Sequence, residues 1–130
     1  MTVKTLIIST TLLTAFAAPA FAQTATGPSV QERNWSQAAQ RVGAFSSRAW
    51  ANRGAGVTIA IVDSGVRRDH IEFTNALSGG FNALTNQVGL QFVNDTSGHG
   101  SHVAALAAGR SDGRGMVGVA SAARILPVQV

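Results

Sequence analysis

A run of mostly β-branched residues from Val57 to Val62 limits the fold of this chain more than any other stretch. Gly56 precedes the run, and the turn-forming residues Asp63-Ser64-Gly65 follow it. Such an almost unbroken run is typical of a parallel strand that is buried on both faces. Because parallel strands need long crossover connections, usually helical, the run predicts an α/β fold.

The rest of the chain alternates predicted helices with predicted strands. Between Trp35 and Ala49 the apolar residues recur at three- and four-residue spacing. This spacing predicts one or two short helices, interrupted near Gly43 and stopped at Gly54, which we expect to cover the sheet. An alanine-rich segment predicts another helix, with a histidine in its first turn, at His99–Ala108. Three more strands are predicted, the first two from weaker signals: Gly79–Ala83, Gly89–Asn94 and Arg124–Val130.

The first 22 residues have the order of parts found in an export signal. Lys4 is followed by the apolar stretch Leu6–Ala18, and Ala20-Phe21-Ala22 supplies small residues for cleavage. The apolar stretch is shorter than the roughly 20 residues that span a bilayer, which favours a removable signal over a membrane anchor. We therefore predict a signal peptide at residues 1–22, a mobile leader at residues 23–34 and a folded domain at residues 35–130.

This organisation predicts an exported protein that is secreted, periplasmic or at the cell surface, with no membrane span after signal removal. Hydrophobic residues make up 45% of the chain, enough for a globular core, and the absence of cysteine excludes disulfide bonds. The net charge is +4, but the arginines are scattered apart from Arg67-Arg68 and the pair Arg110 and Arg114. Because they form no basic stripe, we predict no nucleic-acid partner.

Asp63 and His99 are the residues best placed to carry chemistry. Asp63 follows the predicted buried strand, and the functional groups of open α/β sheets collect at the carboxyl ends of the strands. His99 comes 36 residues later at a helix start, flanked by Gly98 and Gly100, which allow close approach of the backbone. An aspartate beside a histidine fixes the tautomer of the imidazole. Taken singly, Asp63 could instead cap a turn, and His99 could be a core or capping residue.

Four segments, in this order, resemble motifs of the subtilisin-like serine proteases (peptidase S8, subtilases). The family's aspartate motif is matched by Ala60–Val66, and its His-Pro-Asp-Leu element by His70–Phe73. Its histidine motif is matched by His99–Ala104, and its Gly-Val-Ala-Pro turn by Gly118–Ala120. The similarity runs from about Gly54 to the end of the chain. It implies a three-layer α/β sandwich with a mainly parallel sheet, here truncated, and a serine endopeptidase acting on polypeptides.

The resemblance also implies a role for individual residues. Asp63 would orient the imidazole of His99, and His99 would act as general base toward a serine hydroxyl and then as acid toward the leaving amine. Asp95, four residues before His99, would lie near the substrate cleft. His102 would be structural rather than part of the proton relay.

One member of the triad has no counterpart in these residues. The family's serine lies more than roughly 100 residues after the histidine, whereas 31 residues follow His99. The serines at positions 101, 111 and 121 are not in a Gly-Thr-Ser-like turn, and the oxyanion-hole asparagine has no match either. We therefore expect the chain to be inactive as given and to be the N-terminal part of an endopeptidase. The alternatives are a short secreted binding module without catalysis, and a half that a second chain complements.

No cofactor is required by this chemistry, but two metals are considered. Glu72 and the loop Arg110–Met116, with Asp112 at its centre, resemble a stabilising calcium site of some subtilisins. The arginines of the loop argue against it, since calcium takes several oxygen ligands. Zinc on His99 and His102 with a nearby acid, Asp95 or Glu72, is less favoured because the short His-x-x-His lacks the glutamate of the usual metalloprotease helix.

Overall fold

The computed structural model describes residues 27–130 and contains one four-stranded sheet. The predicted signal peptide at residues 1–22 lies outside the described residues. The strands are β1 (Thr58–Asp63), β2 (Phe81–Asn82), β3 (Gln87–Val88) and β4 (Arg124–Gln129), and their spatial order is β1-β4-β2-β3. β4 runs parallel to both β1 and β2, whereas β2 and β3 form an antiparallel hairpin. The prediction of an α/β fold with a mainly parallel sheet is confirmed.

In the described part of the chain, four helices accompany the sheet: α1 (Val30–Trp35), α2 (Gln37–Arg41), α3 (Ser47–Asn52) and α4 (His99–Ala108). The bounds of α4 agree with the sequence prediction, and the gap between α2 and α3 contains Gly43, whose φ is +76°. Two 3₁₀ turns lie at Ile71–Phe73 and Leu90–Phe92. No helix within residues 27–130 is both long enough and apolar enough to cross a membrane.

The core lies between the sheet and α4. Ile61 of β1 and Ile125 of β4 point to the same side of the sheet as the fully buried Ala104 and Ala108 of α4, and Phe73 from the first 3₁₀ turn closes this cluster. Because α4 presents alanines to the strands, its backbone lies close to them, and its first residue comes to the carboxyl end of β1.

The prediction that β1 is buried on both faces is wrong for the described part of the chain. Ile61 is 7% exposed, but its neighbour Val62 is 61% exposed, and Thr58 and Ala60 on the same face are exposed as well. The physical reason is position: β1 is an edge strand, and α4 packs on one side of the sheet only. Within residues 27–130, nothing buries the other face of β1.

The predicted strand Gly89–Asn94 also needs correction. Leu90–Phe92 form a 3₁₀ turn in which the N–H of Val93 donates to the carbonyl of Leu90, and the strand that pairs with β2 is Gln87–Val88. Apolar residues at positions 88, 90 and 92 alternate as they do in a half-buried strand. Gly89, with a φ of +135°, breaks the extended path between them.

The mobile leader predicted for residues 23–34 is not what the structure shows from residue 30 onward. α1 begins there with a capping box, in which the N–H of Glu32 donates to Ser29 Oγ and the N–H of Ser29 donates to Glu32 Oε2. Glu32 is 1% exposed and also accepts a hydrogen bond from the N–H of Gly113. A similar bond of 2.6 Å joins the N–H of Val117 to Ser36 Oγ. We expected these N-terminal helices to cover the sheet, but these bonds fix them to the loop between α4 and β4.

Candidate active site

Asp63 and His99 meet at the carboxyl end of the parallel strands. Asp63 is the last residue of β1, and His99 is the first residue of α4. The Nδ1 atom of His99 lies 2.8 Å from Oδ1 and 2.9 Å from Oδ2 of Asp63. The fold therefore joins two side chains that are 36 residues apart in sequence.

This contact shifts the ionisation of both groups. The hydrogen bond with His99, followed by that from the N–H of Ser64, lowers the pKa of Asp63 below its ordinary value. The hydrogen bond and the charge of Asp63 raise the pKa of His99 above 6.5. The His99 side chain is 68% exposed, and its Nε2 atom has no hydrogen-bond partner within residues 27–130. The ring is thus held at Nδ1 and can exchange a proton at Nε2.

Glycine is favoured at positions 98 and 100, on either side of His99, for different structural reasons. A Cβ atom on Gly100 would collide with the carbonyl oxygen of Gly65 and would lie 3.2 Å from the Cβ atom of Asp63. Gly100 therefore lets α4 begin in contact with the turn that follows β1. Gly98 precedes the helix with a φ of +87°, in the left-handed region that glycine adopts without strain.

Asp95, which the family resemblance suggested near the substrate cleft, is buried beneath the first turn of α4. It is 4% exposed, and its two carboxylate oxygens accept hydrogen bonds from Ser64, Ser97, Gly98 and Ser101. A carboxylate occupied in this way is not available to a substrate. That Asp95 lies near a substrate cleft stays a prediction. In this structure its carboxylate contacts the turn after β1 and the start of α4.

The serines that follow His99 have other partners. Ser101 donates its hydroxyl to Asp95 at 2.6 Å, and Ser111 lies near the carboxylate of Glu32 and helps to lower its pKa. Ser121 is 4% exposed, and its Oγ has no hydrogen-bond partner in residues 27–130. Among the described residues, the only hydrogen-bond partner of the His99 ring is Asp63, so no nucleophile stands next to it.

The calcium site considered at Glu72 and Asp112 stays a prediction, and both carboxylates accept backbone hydrogen bonds in this structure. Glu72 Oε1 accepts the N–H of Met116, and the backbone of Gly115 packs against the same oxygen. Asp112 Oδ1 accepts the N–H of Arg114. The loop thus directs N–H donors at the carboxylates, whereas calcium requires about 6–8 oxygen ligands. No group of three or more His, Cys, Asp or Glu side chains in residues 27–130 is arranged to hold a metal, and this includes the zinc combinations with His102.

Sequence reasoning missed three residues that organise the site and its surroundings: Ser64, Ser101 and Glu32. The two serines bind the buried carboxylate of Asp95 across 31 and 6 residues of sequence, a relation that no local pattern indicates. For Glu32 a signal was present, because Ser29-x-x-Glu32 is the capping-box pattern that marks a helix start.

The mainly parallel sheet, with Asp63 and His99 paired at its carboxyl edge, agrees with the fold that the resemblance to subtilisin-like proteases implies. The sequence model of the subtilase family (peptidase S8) matches residues 54–130, which is more than half of the chain. The chain belongs to the subtilase family.

Individual relatives agree with this assignment. The chain is 37% identical over 79 residues to the intracellular serine protease of Paenibacillus polymyxa, covering 60% of this chain and 24% of the relative. It is 38% identical over 78 residues to thermitase of Thermoactinomyces vulgaris, covering 59% of this chain and 27% of the relative. The crystal structure of fervidolysin from Fervidobacterium pennivorans, a keratinolytic enzyme related to subtilisin, superposes with a TM-score of 0.63 at 26% identity, over 77% of this chain and 16% of that one. The chain thus spans about a quarter or less of each of these proteins.

Proposed function

We propose that this chain carries the aspartate and histidine of a subtilisin-like serine endopeptidase that hydrolyses peptide bonds in polypeptide substrates. The observation that supports the proposal most directly is the double contact of His99 Nδ1 with the carboxylate of Asp63 at 2.8 and 2.9 Å. In an Asp-His-Ser triad the aspartate selects the tautomer that leaves Nε2 able to accept a proton. The exposed Nε2 edge of His99 has the freedom that this step requires.

In the proposed reaction, His99 Nε2 takes the proton of a serine hydroxyl as that oxygen attacks the peptide carbonyl, and later delivers it to the leaving amine. Asp63 stabilises the imidazolium that forms in between. Because Asp63 raises the pKa of His99, the neutral base predominates only above that pKa. Activity should therefore increase with pH through a midpoint above 6.5.

The serine and the oxyanion donors are proposed to come from sequence outside these 130 residues, so we expect the 130-residue chain alone to be inactive. The hydrogen bond of the Ser101 hydroxyl to Asp95 and the burial of Ser121 support this view. Export is proposed from residues 1–22. Among the relatives, one from a Thermus species is named an extracellular proteinase and another an intracellular protease, so their names do not decide the location.

A chimera tests the proposed role of the pair. Residues 54–130 replace the matching segment of thermitase, and serine reactivity is measured with a fluorophosphonate probe and a peptide substrate. We expect an active chimera in which Asp63→Asn and His99→Ala each lower kcat by at least about 10⁴-fold, as in other serine-protease triads. Asp69→Asn, which changes an exposed acid to its amide, is the matched control and should retain activity. Full activity of the Asp63→Asn or His99→Ala chimera would contradict the proposal.

The second candidate function is a secreted binding module without catalysis. The exposed apolar face of β1, where Val62 is 61% exposed, favours it because such a face suits contact with another protein. This reading requires the chain to fold by itself. Thermal unfolding of the purified chain, followed by circular dichroism, should then show a cooperative transition, and a gradual loss of signal would exclude a stable independent module.

A further inference from the structure

The carboxylate of Asp95 is the most heavily hydrogen-bonded group at the site. Its Oδ1 accepts from Ser64 Oγ at 2.9 Å, from the N–H of Ser97 at 3.0 Å and from the N–H of Gly98 at 2.8 Å. Its Oδ2 accepts from the N–H and the hydroxyl of Ser101 at 2.8 and 2.6 Å. Burial alone would raise the pKa of Asp95, but the bonds from Ser101, Gly98 and Ser64 outweigh it and hold the pKa far below its usual range. These five donor contacts favour the ionised form of the Asp95 carboxyl.

Ser64 connects this anion to both members of the pair. Its hydroxyl donates to Asp95 and accepts the N–H of Gly100 at 3.0 Å. Its own N–H donates to Asp63 Oδ1 at 2.7 Å. Ser64 follows Asp63 in sequence, and Gly100 follows His99, so each member of the pair is one residue from this link.

These contacts exceed what a helix cap needs. The helix α4 starts after Gly98, which has no side chain to accept the first free N–H groups, and Asp95 accepts those of Gly98 and Ser101 instead. The Ser64 hydroxyl accepts a third free N–H group of the first turn, that of Gly100. The additional bond between Asp95 and the Ser64 hydroxyl reaches 31 residues back along the chain and joins the helix start to the end of β1.

We propose that Asp95, acting through the Ser64 hydroxyl, is a positioning residue that holds the first turn of α4 against the end of β1 and so keeps His99 Nδ1 on the Asp63 carboxylate. Its importance for catalysis rests on the proposed function, but the positioning itself is a property of this chain. Without the Ser64 hydroxyl, the N–H of Gly100 loses its acceptor and Asp95 loses its only donor from the β1 turn. The helix start would then be free to move relative to Asp63.

The test measures the His99 ring directly in the full chain. Nuclear magnetic resonance of ¹⁵N- and ¹³C-labelled histidine gives the pKa and tautomer of each of the three histidines, assigned by His→Gln substitutions. Asp63 and Asp95 are the charges that act on His99. Ser64→Ala removes the link and changes neither charge, so it should lower the His99 pKa by at least half of the amount that Asp63→Asn lowers it. Ser64→Thr, which keeps a hydroxyl, should restore the wild-type value.

A matched control is available in Ser97, which contacts Asp95 through its backbone N–H, so Ser97→Ala should leave the His99 pKa unchanged. If Ser64→Ala does not fold, Ser101→Ala, which removes one hydroxyl donor and keeps the N–H, should shift the pKa in the same direction by less. An unchanged His99 pKa and tautomer in the folded Ser64→Ala chain, or in Ser101→Ala where that replaces it, would overturn the positioning role. If Asp63→Asn also left the pKa unchanged, the pair itself would not form, and the proposed function would fail instead.

Discussion

Replacing Gly100 by alanine should separate the helix α4 from the end of β1. The new Cβ atom would overlap the carbonyl oxygen of Gly65, and ordinary Cβ contacts begin near 3.4 Å, so the helix start has to move by about 1 Å. His99 Nδ1 now lies 2.8 Å from Asp63, and a displacement of that size takes it beyond hydrogen-bond distance. The same movement also weakens the 3.0 Å bond between the N–H of Gly100 and Ser64.

The energies of this substitution have opposite signs. Alanine gains at most about 1 kcal/mol over glycine in a helix. Forcing an extra carbon into a packed contact costs about 1–3 kcal/mol, and losing a hydrogen bond costs about 1 kcal/mol more. The net loss should be about 1–3 kcal/mol, which lowers Tm by at least about 4 °C in a domain of this size. Thermal unfolding and the His99 pKa are the two measurements, and the pKa should fall toward its ordinary value.

Gly98→Ala is the control for this prediction. A Cβ atom on Gly98 meets nothing within 4 Å, so this variant carries only the cost of the left-handed conformation, about 1–2 kcal/mol. It should lower Tm but leave the His99 pKa near the wild-type value. A Gly100→Ala chain that melts at or above the wild-type temperature, with an unchanged His99 pKa, would refute the reasoning.

Three further predictions concern stability. Glu32→Ala should destabilise the chain by about 1–3 kcal/mol, because the N–H of Gly113 loses its buried acceptor. Since folding lowers the pKa of Glu32, the charge-dependent part of this loss is complete above pH 4.5 and disappears as the pH falls through the folded-state pKa. Burial, with the charges of Asp112 and Glu32, raises the pKa of Glu72. Ionisation of Glu72 therefore lowers the stability of the fold, and Glu72→Gln should raise Tm at pH 7 but not at pH 4. Ile61→Ala should cost about 2–5 kcal/mol, whereas Val62→Ala on the exposed face should cost less than about 1 kcal/mol.

Each of these three predictions has a clear contrary result, read from unfolding curves at several pH values. A Glu32→Ala effect of equal size at pH 3 and pH 7 would mean that the carboxylate charge is irrelevant. If Glu72→Gln lowered Tm equally at every pH, folding would not perturb the pKa of the Glu72 carboxyl. Equal losses for the Ile61 and Val62 variants would show that both faces of β1 are buried in solution.

The parts of the structure that follow from local pattern were predictable. The apolar run of β1 and the alanine-rich α4 have clear periodicity and clear end signals, and the structure places both within a residue of the predicted bounds. The short distance between Asp63 and His99 was also expected, because the resemblance to subtilisin-like proteases implies that Asp63 orients the imidazole of His99.

The parts that could not be predicted depend on relations between residues that local patterns do not contain. Whether both faces of β1 are buried depends on its place at the sheet edge, which periodicity within the strand does not contain. The burial of Asp95 depends on donors from Ser64 and Ser101, in two different elements. Around the 3₁₀ turn at Leu90–Phe92 apolar and other residues alternate as they do in a strand. The positive φ of Gly89 distinguishes this turn from a strand.

The attachment of the N-terminal helices to the loop after α4 has a consequence for the rate and order of folding. The bonds from Gly113 to Glu32 and from Val117 to Ser36 each close 81 residues of chain. Contacts this distant in sequence form late, because the entropy of closing a long loop has to be overcome first. A chain being synthesised cannot complete α1 and α2 in their final environment until Val117 has emerged. Premature folding of the N-terminal part is therefore disfavoured.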